Sequence, residues 1–259
     1  MGVPRDDAGW LGLIRAGMPP LWRLLGEASG GSVWTGDGVL ASIIPQSPNR
    51  SVFNSVFYED GERLVAALDR IAAAYDEAGV RAWTVWVPEA DRDTARALEE
   101  AGHVFDGEPR AMAMELSQLR APEPDPSIEI REELDMPEVA RLNEIAYGWA
   151  PGDFGAVAEA ERKIPGTHAY LGSLDGETVG TVVIWDHGDD CEVAWVATLP
   201  EARGRGVSKQ LMARALVDAR ERGQLTSTLV ASKLGRPVYE RVGYRDFGAI
   251  QMWERRKPS

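Results

Sequence analysis

The sequence is nearly devoid of cysteine and poor in histidine. Cys191 is the single cysteine, which excludes an intrachain disulfide framework and any multi-cysteine metal site. The three histidines, His103, His168 and His187, lie far apart and show no H-E-x-x-H spacing, so no metal is expected. Long apolar runs are missing as well; none approaches the roughly 20 residues that a bilayer span needs. The opening M-G-V-P-R-D-D-A-G-W lacks a secretory signal pattern, and a cytoplasmic location is the expectation. Positive charge is scarce: 28 Lys and Arg stand against 41 Asp and Glu, a formal charge of −13. That balance argues against a general nucleic-acid or membrane-surface binder, because phosphate-rich partners would be repelled.

What is present is ordinary for a soluble globular protein, 44% hydrophobic and 27% charged. A chain of 259 residues can form one large domain or two small ones, and either buries a real core. The clearest linker is A-P-E-P-D-P-S at 121–127, whose prolines can hold neither a helix nor a central strand. The expected division is therefore a domain over 1–120, a linker over 121–127 and a domain over 128–259.

The two sides of that linker look alike. Leu64, Val65, Leu68, Ile71, Ala72 and Tyr75 recur at helical spacing, Gly79 ends the stripe and A-W-T-V-W-V follows as a strand. Leu211, Met212, Ala215, Leu216 and Ala219 repeat the stripe, with Gly223 as the stop and L-T-S-T-L-V-A as the strand. A-R-A-L-E-E-A-G-H (95–103) then parallels R-P-V-Y-E-R-V-G-Y (236–244), and each leads to a strand-like tail, A-M-A-M-E-L and A-I-Q-M-W-E. Helix, glycine and strand succeed one another in many α/β proteins, but the matching order and tails favour a duplicated domain. In the second half, I-E-I-R-E reads as a strand, P-E-V-A-R-L-N-E-I-A-Y as a helix with Pro137 in its first turn, and 168–185 as a hairpin turning at Asp175-Gly176. E-V-A-W-V-A-T-L is a fourth strand. The fold class this predicts is α+β, a mixed sheet with helices, rather than the steady strand–helix alternation of a doubly wound fold.

Against the acidic background, A-R-G-R-G-V-S-K-Q-L-M (202–212) concentrates two glycines and basic charge just before a helix. It fails the dinucleotide fingerprint, since Lys209 stands where the third glycine belongs, and it fails the Walker A pattern, since the order is G-V-S-K. Two readings remain: a solvated helix start, or a loop that grips an anion. The second draws on the unpaired N–H groups and dipole of a helix N-terminus and on glycines that let a ligand approach the backbone. Arg203, Arg205 and Lys209 add local charge.

This stretch, V-A-T-L-P-E-A-R-G-R-G-V-S, resembles the acetyl-CoA loop of the GNAT acyltransferase superfamily, whose pattern [QR]-x-x-G-x-[GA] reads here Arg203, Gly204, Arg205, Gly206, Val207, Ser208, with the small Ser208 in place of Gly or Ala. A second family signature, N-x-x-A-x-x-[LV]-Y-x-x-x-G-[FY], is met by S-K-L-G-R-P-V-Y-E-R-V-G-Y at 232–244, with Ser232 in place of Asn and Gly235 in place of Ala. The resemblance covers 127–255. It implies two GNAT-like domains in tandem, each a mixed and mostly antiparallel sheet flanked by helices. In the first copy F-Y-E-D-G-E-R replaces the basic loop and Glu99 stands where Tyr239 stands in the second, so that copy is expected to be degenerate and without CoA.

The resemblance also implies acetyl-CoA as cosubstrate and assigns roles. Val196, Ala197 and Thr198 would bind the pantetheine arm through their backbone, and an N–H near Val196 would polarise the thioester carbonyl. Arg203, Gly204, Arg205, Gly206, Val207, Ser208 and Lys209 would hold the pyrophosphate, with Ser232 as a further polar contact. Tyr239 would assist the leaving thiolate, or simply pack the short helix. Glu192, eleven positions before Arg203, stands where family members place a general base, or is a strand-edge carboxylate facing solvent. Tyr147, Trp149 and Asp153 would wall the acceptor pocket, or cap a loop. Cys191 has no basic partner nearby in sequence and reads as a core thiol.

The expected activity is N-acetyl transfer to a primary amine by direct attack in a ternary complex. The alternative is a non-catalytic acyl-CoA-binding or scaffold protein. The acceptor is a small-molecule or protein and peptide amine, with no nucleic acid and no membrane as partner. The tandem copy supplies internally the packing partner that single-domain members gain by dimerising, so a monomer with an intrachain pseudo-dimer is expected.

Overall fold

The computed structural model describes residues 2–257. The chain opens with α1 (Asp7–Ala28), β1 (Ser32–Gly36), β2 (Val39–Ile43), β3 (Ser55–Tyr58), α2 (Gly61–Glu77), β4 (Ala82–Pro88), α3 (Arg92–Glu100), β5 (Val104–Gly107) and β6 (Arg110–Glu115). It continues with β7 (Ile128–Glu132), α4 (Met136–Tyr147), α5 (Gly155–Glu161), β8 (Thr167–Leu174), β9 (Glu177–His187) and β10 (Asp190–Thr198). It ends with α6 (Val207–Glu221), β11 (Thr226–Ala231), α7 (Arg236–Val242) and β12 (Arg245–Arg256).

Two compact units form. The larger holds the chain up to Gly17 together with Arg110–Phe247; the smaller holds Met18–Pro109 and the chain from Gly248 onward. The larger unit's sheet has the order β6-β11-β10-β9-β8-β7. β10 and β11 are parallel there, and the other neighbours are antiparallel. The smaller unit's sheet runs β1-β2-β3-β4-β12, with β5 also on β12, and its parallel pair is β3 with β4. Each sheet is thus mixed and mostly antiparallel, with helices beside it, as the expected fold class requires.

The units do not follow the division at 121–127. The first repeat's tail, β6, pairs with β11 from Glu115↔Thr226 to Arg110↔Ala231. The second repeat's tail, β12, pairs with β4 from Ile250↔Pro88 to Arg256↔Ala82. Each tail finds its ladder in the sheet built mainly by the other repeat. The segment 121–127 consequently lies inside the larger unit, where the Gln210 amide donates to the Glu123 carbonyl at 2.7 Å.

The helical stripes read from sequence are the faces that bury. On α6, Val207, Leu211, Met212, Ala215, Leu216 and Ala219 are buried, and α6 packs on β8, β9 and β10. On α2, Leu64, Leu68, Ile71 and Tyr75 are buried against Val56, Val85 and Val87, while Val65 stays exposed. Each such large apolar side chain contributes about 1.5–3 kcal/mol through burial. The Tyr75 hydroxyl donates to the Ser42 carbonyl at 3.0 Å, so its polar tip is satisfied inside that core.

Candidate functional site

The site follows from where two parallel strands part. The ladder between β10 and β11 covers only Asp190–Val193 against Thr226–Leu229, and β10 then runs on to Thr198. Its pairing with β9 is broken between Ala194 and Ala197, where Trp195 adopts φ +48°. A left-handed tryptophan is strained, and such strain gathers at functional positions. Beyond the parting lies a cleft of about 660 Å³, with the end of β10 and the start of α6 on one side and 232–241 on the other.

The start of α6 is unusual in being uncapped. Its N-cap is Gly206 at φ +86°, preceded by Gly204 at φ +79°, and no side chain accepts from the first-turn N–H groups. Both conformations are open to glycine and strained for any other residue. Ser208 does not cap the helix; its hydroxyl meets that of Thr198 at 2.6 Å and ties α6 to β10. The matching helix of the first repeat is closed: the Asp60 carboxylate of α2 accepts from the Arg63 N–H at 3.0 Å, with Glu62 also in the first turn. An anion therefore meets free donors at α6 and a carboxylate at α2.

The cleft brings together most of the residues singled out from sequence: Val196, Ala197, Thr198, Arg203, Gly204, Gly206, Val207, Ser208, Lys209, Ser232 and Tyr239 all line it. Arg203 serves the scaffold, donating to the Ala146 carbonyl at 2.9 Å and the Thr198 carbonyl at 3.3 Å. Arg205 lies outside the lining and faces Asp175 at 3.7 Å. The Ser232 hydroxyl accepts from the Gly235 N–H at 3.2 Å and so shapes its own turn. A Cβ on Gly235 would come within 2.8 Å of the Tyr239 ring, so that turn packs closely against the tyrosine.

Tyr239 is 8% exposed, with its ring 6.0 Å from that of Tyr244. Burial, and secondarily Tyr147, push its phenol well above the usual range, so the hydroxyl stays protonated as a donor. Tyr147 also lines the cleft and donates to the Val196 carbonyl at 3.1 Å. It stacks on Trp149 at 5.0 Å, Trp149 meets Phe154 at 6.0 Å, and Phe154 meets Trp195 at 4.7 Å, an aromatic ladder leading from the cleft to the β10 bulge. Asp153 accepts from the Ala150 N–H at 3.0 Å and organises the loop.

Glu192 does not line the cleft and is not a solvent-facing strand edge; it is 6% exposed. Burial, then Asp190 and Glu161, push its carboxyl up to about 8. Cys191 is fully buried, and burial together with Asp190 raises its thiol far above the nucleophilic range, consistent with a core role. Among the described residues no His, Cys, Asp and Glu group is placed to hold a metal ion, and no helix is long and apolar enough to cross a membrane.

Sequence reasoning missed Val238, Lys233, Leu234 and Arg241 in the lining and the fully buried Glu161 at the end of α5. Glu161 did carry a signal. It lies four residues after Val157, on the buried stripe of α5, where a carboxylate is out of place.

No curated protein matches the chain. Residues 165–246, which run from Glu192 through Tyr239 and beyond on both sides, match the family model of the acetyltransferase (GNAT) domain. Among solved structures the chain is similar to a GCN5-related N-acetyltransferase from Kribbella flavida, at 20% identity and TM-score 0.65 over 91% of this chain and 96% of that one. It is similar to another from Sphaerobacter thermophilus, at 18% and 0.62 over 98% and 95%. A tandem GNAT protein from the clavulanic acid biosynthesis pathway aligns at 13% and 0.59 over 85% and 79%. The chain thus resembles the GNAT superfamily, and its fold is shared with members that include a tandem protein.

Proposed function

We propose that this chain is an acetyl-CoA-dependent N-acetyltransferase that acetylates a primary amine by direct attack in a ternary complex. The observation that carries the reading is the uncapped start of α6, behind Gly204 and Gly206, set beside strand backbone that has left its ladder. That helix start suits a pyrophosphate, because the free N–H groups, the helix dipole and Lys209 all favour an anion. Val196, Ala197 and Val238 suit the uncharged arm between phosphate and thioester. Arg203 and Ser232 hold the cleft in shape, and Arg205 contributes only charge from the rim.

Acetyl-CoA supplies an acetyl group activated as a thioester. A backbone N–H near Val196 is assigned to the thioester carbonyl oxygen. The amine's C–N bond forms as the C–S bond breaks. The surplus amine proton passes to Glu192 through water, and the sulfur leaves as a thiolate hydrogen-bonded by Tyr239. The acidic, aromatic surroundings of the bulge suit an amine, whether of a small molecule or of a peptide. The proposal includes a cytoplasmic monomer in which only the second repeat takes CoA; one-chain mass by light scattering supports the monomer, and a stable dimer contradicts it.

Thermal unfolding with acetyl-CoA tests the ligand. The midpoint is expected to rise with concentration, as it does for any ligand that binds the native state alone; an unmoved midpoint counts against the reading. A second reading, acyl-CoA binding without transfer, is favoured by the position of Glu192 outside the lining. Release of CoA thiol across a panel of amines separates the two, because the second reading requires binding with no release.

A further inference from the structure

The bulge of β10 is held from outside the sheet. The register with β11 ends at Val193, and the register with β9 skips from Ala194 to Ala197, so Trp195 and Val196 fall outside both ladders. α4 packs on β10. Asn143 and Tyr147, four residues apart and therefore on one face of that helix, reach two successive carbonyls of the bulge. The Asn143 side-chain amide donates to the Trp195 carbonyl at 3.4 Å, and the Tyr147 hydroxyl donates to the Val196 carbonyl at 3.1 Å. Arg203 ties the same helix end to the strand through its bonds to the Ala146 and Thr198 carbonyls.

Packing alone does not account for Asn143. It is fully buried, as are Val139 and Leu142 of the same helix. Its Nδ2 also donates to the Val139 carbonyl at 2.9 Å, so two carbonyls fix that end of the amide as the donor. Its Oδ1 is buried with no partner among the described residues. An unpaired buried acceptor costs stability, and asparagine is a poorer helix former than leucine, which has a similar size and meets neither cost. What asparagine supplies here and leucine cannot is the donor.

A peptide group is planar, and in its trans form the C=O and the N–H point in opposite directions. The carbonyl that Asn143 holds shares its peptide group with the Val196 N–H. The carbonyl that Tyr147 holds shares its peptide group with the Ala197 N–H. Drawing both carbonyls toward α4 therefore sets the direction of both N–H groups. The neighbouring strain, φ +48° at Trp195, is of the kind that persists only where surrounding contacts impose it.

We propose that Asn143 and Tyr147 are positioning residues that clamp the peptide groups on both sides of Val196 and so aim its N–H, the donor assigned to the thioester carbonyl. This rests on the acetyltransferase reading. In this role both side chains act through the backbone of β10 and not on the reacting atoms. The clamp fixes the donor before the oxyanion forms, so that none of its orientation has to be found during the reaction.

The test is the residual dipolar coupling of backbone N–H groups in the full chain, labelled with nitrogen-15 and weakly aligned, which reads the direction of each N–H without any ligand. In Asn143→Leu the Val196 coupling is expected to change, while those of Val182 and Val183 on β9 stay as in the wild type. An unchanged Val196 coupling overturns the proposal. A residue that only fills the core would move the unfolding midpoint and leave that coupling where it is, and this result too overturns it. If Asn143→Leu does not fold, Tyr147→Phe decides: it removes the hydroxyl and keeps the ring, and the Ala197 coupling is expected to change; an unchanged one overturns the proposal. With an acceptor in hand, kcat of Asn143→Leu is expected to fall roughly 10-fold or more with KM for acetyl-CoA unmoved, a smaller loss than the roughly 10²–10³ of removing such a donor outright. Failure of the acetyltransferase reading would show as an unfolding midpoint that acetyl-CoA does not move. The couplings are measured without ligand and answer separately, so the two failures are distinguishable.

Discussion

Tyr239 and Glu192 carry the chemistry proposed for the larger unit, and burial tunes each of them. Tyr239 keeps its proton, so Tyr239→Phe is expected to lower kcat roughly 10²-fold with little change in KM for acetyl-CoA, measured by steady-state kinetics. Glu161 and Glu192 hold protons more tightly folded than unfolded. Their favourable contribution is full below the ordinary carboxylate value and is lost as pH rises through about 8. Stability should therefore fall between those limits by up to about 1.4 kcal/mol per pH unit for each group, and Glu161→Gln should flatten the slope in denaturant titrations across that range. Arg203, Gly204, Gly206 and Tyr239 were legible because their types and spacing are local. Glu161 was not singled out, because one apolar residue four positions before it is a thin periodic signal.

At the scale of elements, the capped start of α2 and the open start of α6 underlie the proposal that only the second repeat takes an anion. Gly206→Val forces a branched residue into a left-handed conformation, a cost of about 1–3 kcal/mol, and should abolish protection by acetyl-CoA in thermal unfolding. Asp60→Ala removes a cap from α2 and should cost about 1 kcal/mol by denaturant titration while leaving acetyl-CoA affinity unchanged. Both helices, the 168–185 hairpin and α7 were readable from apolar period and turn residues. α1 was not, because Pro19 and Pro20 stand inside it and proline is a helix breaker in any sequence reading. The short α5 was not read as a helix, because seven residues complete only about two turns and leave its period a faint signal.

The whole chain divides by strand pairing and not by sequence order. The tails of the repeats were legible as strands, yet their partners were not, since a ladder pairs residues that period and composition cannot connect. Deleting the chain from Gly248 onward removes β12 from the ladder of β4, and amide exchange across Ala82–Pro88 should speed up sharply. The central claim is a single acetyl-CoA site per chain, at the cleft between β10 and β11. Isothermal titration with acetyl-CoA tests it most directly: one site per chain in the wild type and none in Gly206→Val is the predicted result. Two sites per chain, or a site that survives Gly206→Val unchanged, would contradict it.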